Sequence, residues 1–307
     1  MNLHDTTEMR QAFSSYLPLP VKLEPSLQDT LMHILGNEGS LVRPQIVFSL
    51  SMAYGIDERH ARELAIALEY FHTASLIFDD LPCMDDSMER RGALCAHIEF
   101  GQSSAILAAL ALVNRAYALV WRSASACPSS RQAGVLEYLE KYLGVSGLLN
   151  GQSLDLNYAS LPHDLQTTEQ IAFGKTVSLI RLTLVLPAML GGAPEWEVQL
   201  LEHIAVFWGL SYQIVDDLKD VLQGPAQTGK TTSRDVSLDR PNIALAIGVG
   251  AAVTRLERLI SLGDSNLERL IARNPEAAFL STLRSSLQDE MARVTESACA
   301  YKLQGRS

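Results

Sequence analysis

The sequence has no excess of positive charge: 25 Lys and Arg stand against 35 Asp and Glu, a formal charge of −10 over 307 residues. That balance argues against a nucleic-acid surface, which needs clustered cations. The four cysteines, Cys83, Cys95, Cys127 and Cys299, include no Cys-x-x-Cys pair. Reduced thiols are therefore expected, with neither a zinc knuckle nor a disulfide framework. No apolar run is read as reaching the ~20 residues of a membrane span. The opening stretch MNLHDTTEMRQ is acidic and has no apolar core, so neither a signal nor a transit peptide is expected, and a cytoplasmic protein follows. Strand-like alternation is scarce. No linker rich in Gly, Ser or Pro and no internal repeat divides the chain.

What is present is helix. Apolar residues recur at three and four residue spacing through Leu64, Ala67, Leu68, Phe71 and Ala74, again from Ile106 to Val120, and again from Ile180 to Leu190. The breakers between such runs are short, and Thr167 or Thr168 is expected to cap one of the helices. With 47% hydrophobic residues the chain can bury a large core. These features predict one all-α domain over residues 1–307, a bundle of roughly ten helices.

Two acidic stretches stand out of that pattern. The first, LIFDDLPCMDDSMERRG, runs from Leu76 to Gly92 and sets Asp79, Asp80, Asp85 and Asp86 ahead of Arg90 and Arg91. Pro82 stops regular helix there, so Asp79 and Asp80 are placed at a helix end. The second, QIVDDLKD, sets Gln213, Asp216, Asp217 and Asp220 at i, i+3, i+4 and i+7, one polar stripe of a helix. Paired carboxylates in a low-dielectric site resist joint ionisation unless a divalent cation lies between them. Two guanidiniums beside four carboxylates suit a phosphate held jointly by metal and arginine. An acidic loop and a solvated acidic face are the bland readings, weakened by those arginines and by the large apolar residues on the other faces of the second helix.

Other residues read either way. Arg43, in GSLVRP, is a solvated charge or an anion contact. His72 lies two turns behind Asp79 on the same helix face and is a core histidine or a site residue. Lys175 either snorkels to solvent or turns inward. The string GPAQTGKT has the spacing of a phosphate loop, but a helix precedes it, so a nucleotide site is rejected.

With both clusters placed, the chain resembles the trans-isoprenyl diphosphate synthases, the family of farnesyl and geranylgeranyl diphosphate synthases, from GSLVRP to Arg240. The resemblance implies the all-helical isoprenoid synthase fold around a central cavity, in a homodimer without a membrane span or nucleic acid. It implies a Mg²⁺-dependent condensation of an allylic diphosphate with isopentenyl diphosphate. Asp79, Asp80 and Asp85 match the first metal motif and Asp216, Asp217 and Asp220 the second, together holding three Mg²⁺. Arg90, Lys175, Thr176, Gln213, Lys230 and Arg240 match the grips on the allylic diphosphate. Arg43, His72 and Arg91 match those on isopentenyl diphosphate. Asp79, Asp80, Asp216 and Lys175 are then the residues nearest the chemistry. The positions implied to set product length are Phe71, Ala74 and Ser75, and small side chains at the last two predict a product of C20 or longer.

The chain departs from the family at Ser40, where the loop usually carries lysine, at Ala93 after Arg-Arg-Gly, and at Pro241-Asn242. A homoallylic half so eroded keeps a second reading open, a class I terpene cyclase-like enzyme that ionises a prenyl diphosphate without isopentenyl diphosphate.

Overall fold

The computed structural model describes residues 7–222, 240–285, 288–289 and 292–293. The chain divides into two compact units, Met1–Leu136 with Leu186–Ala193 and Glu137–Val185 with Pro194–Ser307.

The first unit is built from α1 (Thr7–Ser15), α2 (Pro25–Gly36), α3 (Val42–Ala53), α4 (Glu58–Asp79), α5 (Ala96–Phe100) and α6 (Gln102–Ser125), with α7 (Ser129–Leu143) running out of it. Its centre is the α4–α6 pair. Ala61, Ala65 and Ala74 of α4 and Ala105, Ala108, Ala109 and Ala116 of α6 are buried, and side chains this small let two helices approach closely. Leu64, Leu68, Leu112 and Leu119 fill the seam, each worth roughly 1.5–3 kcal/mol of transfer free energy when fully buried. Asp57 caps α4, its carboxylate accepting from the His60 amide at 3.2 Å. At the other end Pro82 lacks the N–H that another turn would need, and the helix stops at Asp79.

An antiparallel hairpin interrupts the helices, β1 (Glu89–Arg90) paired with β2 (Ala93–Leu94), Arg90 opposite Ala93. Its two-residue turn, Arg91-Gly92, has φ of 56° and 80°. Positive φ at both positions is the turn type whose twist matches a hairpin.

The second unit contains α8 (Leu148–Leu156), α9 (Leu165–Ala172), α10 (Ser178–Gly191) as far as Val185, α11 (Glu195–Leu222), α12 (Ile243–Ile247) and α13 (Val249–Ile271). One π-helical turn, Phe173–Val177, joins α9 to α10. Leu210, Ile214, Val215 and Leu218 of α11 pack with Leu256, Leu259 and Ile260 of α13 in its core. The cap of α9 is Asp164, accepting from the Thr167 amide at 2.8 Å, three residues ahead of the threonine expected in that role.

The expectation that no apolar run is long enough to cross a membrane is corrected. Gln102–Ser125 and Leu165–Gly191, with hydropathies of 1.6 and 1.5, qualify by length and composition. Burial accounts for the second as a core helix, 67% of its apolar window being buried; the window of the first is 39% buried, and that helix contributes the alanine seam to α4.

Candidate active site

In the first unit the end of α4 and the loop after it fold back on each other. The Asp85 amide donates to the Asp79 carbonyl at 2.8 Å and the Ser87 amide to the Asp80 carbonyl at 3.1 Å. Asp79 and Asp85 are thereby brought into one turn, both half-exposed, while Asp80 is 4% exposed. Arg90 Nε donates to the two carboxylate oxygens of Asp80 at 3.0 and 3.3 Å. Burial lowers the Arg90 pKa, but pairing with Asp80 outweighs it and the net direction is up. Asp80 therefore braces the hairpin against the helix end.

Arg91 points elsewhere. Its Nη1 donates to the Asn37 carbonyl at 3.2 Å, and its Nη2 lies 3.5 Å from Glu69 Oε1. Arg43, from the first turn of α3, donates to the other oxygen of Glu69 at 3.4 Å. A Cβ on Gly39 would stand 2.8 Å from the Arg91 guanidinium, so glycine leaves the room that Arg91 occupies. Burial pushes the Glu69 carboxyl up and the two guanidiniums pull it down, burial being the larger effect. His72, one turn along α4 from Glu69, is held well below its usual value by burial and by Arg43, Arg91 and Arg90, so its ring is neutral. Its Nδ1 is buried and has no hydrogen-bond partner. Among the described residues the non-glycine positions with positive φ are Leu41, Asp86 and Arg91, all beside these groups. Each costs about 1–2 kcal/mol, a kind of strain that concentrates at functional sites. The positions expected to set product length also lie on α4: Ala74 is buried, Ser75 is half-buried, and Phe71 meets the Tyr117 ring edge-on at 4.9 Å.

In the second unit the π-helical turn and α11 carry the corresponding groups. Lys175 turns inward: its Nζ lies 2.9 Å from Asp155 Oδ2, and Asp155 is 6% exposed. Arg240 Nη1 donates to the Asp155 carbonyl at 3.2 Å and lies 3.6 Å from the same carboxylate. The approach depends on glycine, because a Cβ on Gly151 would meet Lys175 N at 2.4 Å and one on Gly174 would meet the Gly151 Cα at 2.6 Å. Thr176 Oγ1 donates to Gln213 Oε1 at 2.6 Å, and Gln213 Nε2 donates to Asp217 Oδ1 at 2.8 Å. The other Asp217 oxygen accepts from the Ile243 amide at 2.7 Å, and its carbonyl accepts from Asn242 Nδ2 at 3.0 Å.

The polar stripe expected on α11 is thus unevenly exposed: Asp216 is exposed, Asp220 half-buried and Asp217 buried. The cause is the N-terminus of α12, whose Ile243 amide takes one carboxylate oxygen of Asp217, while Gln213 of α11 takes the other. Asn242, a departure from the family pattern, is also the cap of α12, accepting from the Leu245 amide at 3.1 Å. Lys230 lies outside the described residues.

Glu69 escaped the sequence reading, which also gave Asp155 and Asn242 no role. Glu69 and Asp155 each clasp two of the expected diphosphate cations, and Asn242 ties Asp217 to α12. For Glu69 the available signal was a carboxylate inside the apolar run IALEYF, a placement that demands partners.

Among the described residues no three His, Cys, Asp or Glu side chains gather into a ready-made metal cage. The donors fit Mg²⁺ nonetheless. They are hard carboxylate oxygens, and Mg²⁺ is commonly held by one or two carboxylates, retained waters and substrate phosphates.

Comparison with known proteins defines the class first. A geranyltransferase from Helicobacter pylori, complexed with magnesium and isoprenyl diphosphate, superposes with a TM-score of 0.76 over 97% of both chains at 23% identity. An FPP/GFPP synthase from Zymomonas mobilis gives 0.76 over 91% of this chain and 94% of its own, also at 23%. At those identities the likeness establishes the all-helical isoprenoid synthase fold. The sequence then fixes the family: the polyprenyl synthetase description matches residues 24–270. Geranylgeranyl pyrophosphate synthase 12 of Arabidopsis thaliana is 36% identical over 260 residues, 82% of this chain and 72% of its own. Geranylfarnesyl diphosphate synthase of Leucosceptrum canum is 31% identical over 262 residues, 84% and 71%. The chain belongs to the polyprenyl synthetase family, and it is a trans-prenyltransferase. Both of those curated relatives are chloroplastic. That finding overturns the expectation of a cytoplasmic protein, which rested on the composition of the first residues.

Proposed function

We propose that this chain condenses an allylic prenyl diphosphate with isopentenyl diphosphate, in the presence of Mg²⁺, to a prenyl diphosphate of C20 or longer. The observation that carries the reading is a polyprenyl synthetase sequence that keeps both aspartate clusters, each beside a pair of cations clasped by a buried carboxylate. Relatives named for geranylgeranyl and geranylfarnesyl products support the length, as do the small side chains of Ala74 and Ser75. The cyclase-like alternative is not favoured, since the relatives are synthases.

Asp79, Asp80, Asp85, Asp216, Asp217 and Asp220 would hold the metal, three ions in all, Asp80 and Asp217 each also being hydrogen-bonded to protein donors. When bound, Mg²⁺ supplies charge neutralisation to the departing pyrophosphate. Arg90, Lys175, Thr176, Gln213, Lys230 and Arg240 bind the allylic diphosphate, and Lys175 and Arg240 stabilise the negative charge that grows as its C–O bond breaks. Arg43, Arg91 and neutral His72 bind isopentenyl diphosphate. Its double bond forms the new C–C bond to the allylic carbon, and the released pyrophosphate takes the proton lost. Apolar helix faces keep water from the allylic cation.

Residues 1–307 act as one functional domain in this reading, supported by a family match that runs through both units. The working form is a homodimer. Leu107, Leu110, Tyr117 and Trp121 are exposed along one face of α6, and an apolar stripe of that kind fits a second copy of the chain.

The test is pyrophosphate release by Asp79→Ala and Asp216→Ala with an allylic diphosphate and Mg²⁺. A fall in kcat of roughly a hundredfold or more is expected of each, and undiminished release from both would sink the metal assignment. Ala74→Phe should shorten the product, and an unchanged chain length would contradict the assignment of Ala74.

A further inference from the structure

Arg43 and Arg91 come from different elements, the first turn of α3 and the tip of the hairpin, and carry like charges that repel. Glu69, in the middle of α4, gives one oxygen to each, at 3.4 and 3.5 Å, and is itself 2% exposed. Each arginine spends one nitrogen on this carboxylate, and a guanidinium has five N–H donors in a fixed fork. Their side chains remain 23% and 19% exposed, so other donors stay within reach of a ligand. Further contacts seat Arg91: the Asn37 carbonyl at 3.2 Å, the space left by Gly39, and its own left-handed backbone. The unbonded Nδ1 of His72 lies on α4 one turn from Glu69.

A buried carboxylate in an anion site is unexpected from charge alone. It cancels one of two positive charges and costs desolvation, and replacing buried ion pairs by apolar groups is often neutral or stabilising. What it supplies is geometry. We infer that Glu69 is the positioning residue of the isopentenyl diphosphate subsite, clamping Arg43 and Arg91 into one two-arginine fork and so making up in preorganisation for the charge missing at Ser40. The inference rests on the proposed function for the identity of the ligand. A fork held in advance loses less side-chain freedom when the diphosphate arrives.

Charge and geometry predict opposite signs for Glu69→Gln. That variant keeps the shape and raises the positive charge of the subsite, so an electrostatic account predicts tighter binding of isopentenyl diphosphate. Positioning predicts weaker binding.

The experiment measures binding of isopentenyl diphosphate to the full chain by calorimetry, without Mg²⁺ or an allylic substrate, alongside steady-state kinetics in both substrates. The expected result for Glu69→Gln is a Kd and KM for isopentenyl diphosphate raised roughly tenfold or more, as for loss of a charge-assisted hydrogen bond. Its KM for the allylic diphosphate should stay within about twofold of wild type, since only uniform binding at the other subsite is lost. Glu69→Asp should fall between the two proteins. Gly39→Ala, which presses on Arg91 from a loop and leaves Glu69 untouched, should show the same split and serves if Glu69→Gln folds poorly. Unchanged or tighter isopentenyl diphosphate binding in Glu69→Gln overturns the inference. So does an equal rise of both KM values with a lowered Tm, the mark of a merely structural role. A wild-type protein that binds isopentenyl diphosphate but never elongates it leaves the role of Glu69 standing and overturns the proposed function instead.

Discussion

His72 shows how much the surroundings of a residue decide what it can do. Half-buried and near the charges of Arg43, Arg91 and Arg90, it is neutral in the folded chain, its pKa held well below the usual value by burial of the ring and by those charges. In the unfolded chain it takes up a proton below about pH 6.5. The unfolded state therefore binds more protons in acid, and this residue adds a penalty that is absent above about pH 6.5 and grows as pH falls, by up to about 1.4 kcal/mol per unit. Urea unfolding at pH 7.5 and 5.5 should show wild type losing more stability on acidification than His72→Gln. Equal losses would mean that the ring is protonated in the folded state. At this scale the sequence was legible where charge density was unusual, at Asp79, Asp80, Asp85, Arg90 and the second aspartate run. It was not legible where a carboxylate acts through others. Glu69 and Asp155 bind no ligand in this account, and their partners are 20 to 85 positions away.

Among the elements, the helices that carry the aspartates were readable from periodicity and from Pro82. The hairpin was not, because two residues per strand are too few for alternation to show, and Arg-Gly is a less familiar turn pair than Asn-Gly. The π-helical turn was equally hidden, since it lies at a contact between glycines distant in sequence. Gly151 and Gly174 bring α8 against the turn so closely that neither tolerates a Cβ, and the same turn aims Lys175 at Asp155 and Thr176 at Gln213. Gly151→Ala must therefore push the two backbones apart. A loss of at least 1–3 kcal/mol is expected by denaturant unfolding, the range for overpacking, with kcat falling further than in surface controls. A Gly151→Ala protein of wild-type stability and activity would show that the close approach is not needed.

For the whole molecule, fold class and family motifs were within reach of the sequence, whereas the compartment was not, because it was judged from the composition of the first residues. The α6 face could not be told from core by periodicity alone, since apolar residues stand on both sides of that helix. Leu107→Asp combined with Trp121→Asp should turn a homodimer into a monomer in light scattering, and an unchanged mass would place the subunit contact elsewhere. The central claim is chain elongation, and product analysis after incubation with Mg²⁺ and geranyl, farnesyl or geranylgeranyl diphosphate, each with and without isopentenyl diphosphate, tests it most directly. The account predicts longer prenyl diphosphates of C20 or more that form only when isopentenyl diphosphate is present. Hydrocarbons or alcohols released equally well in its absence, with no elongated diphosphate in its presence, would contradict it.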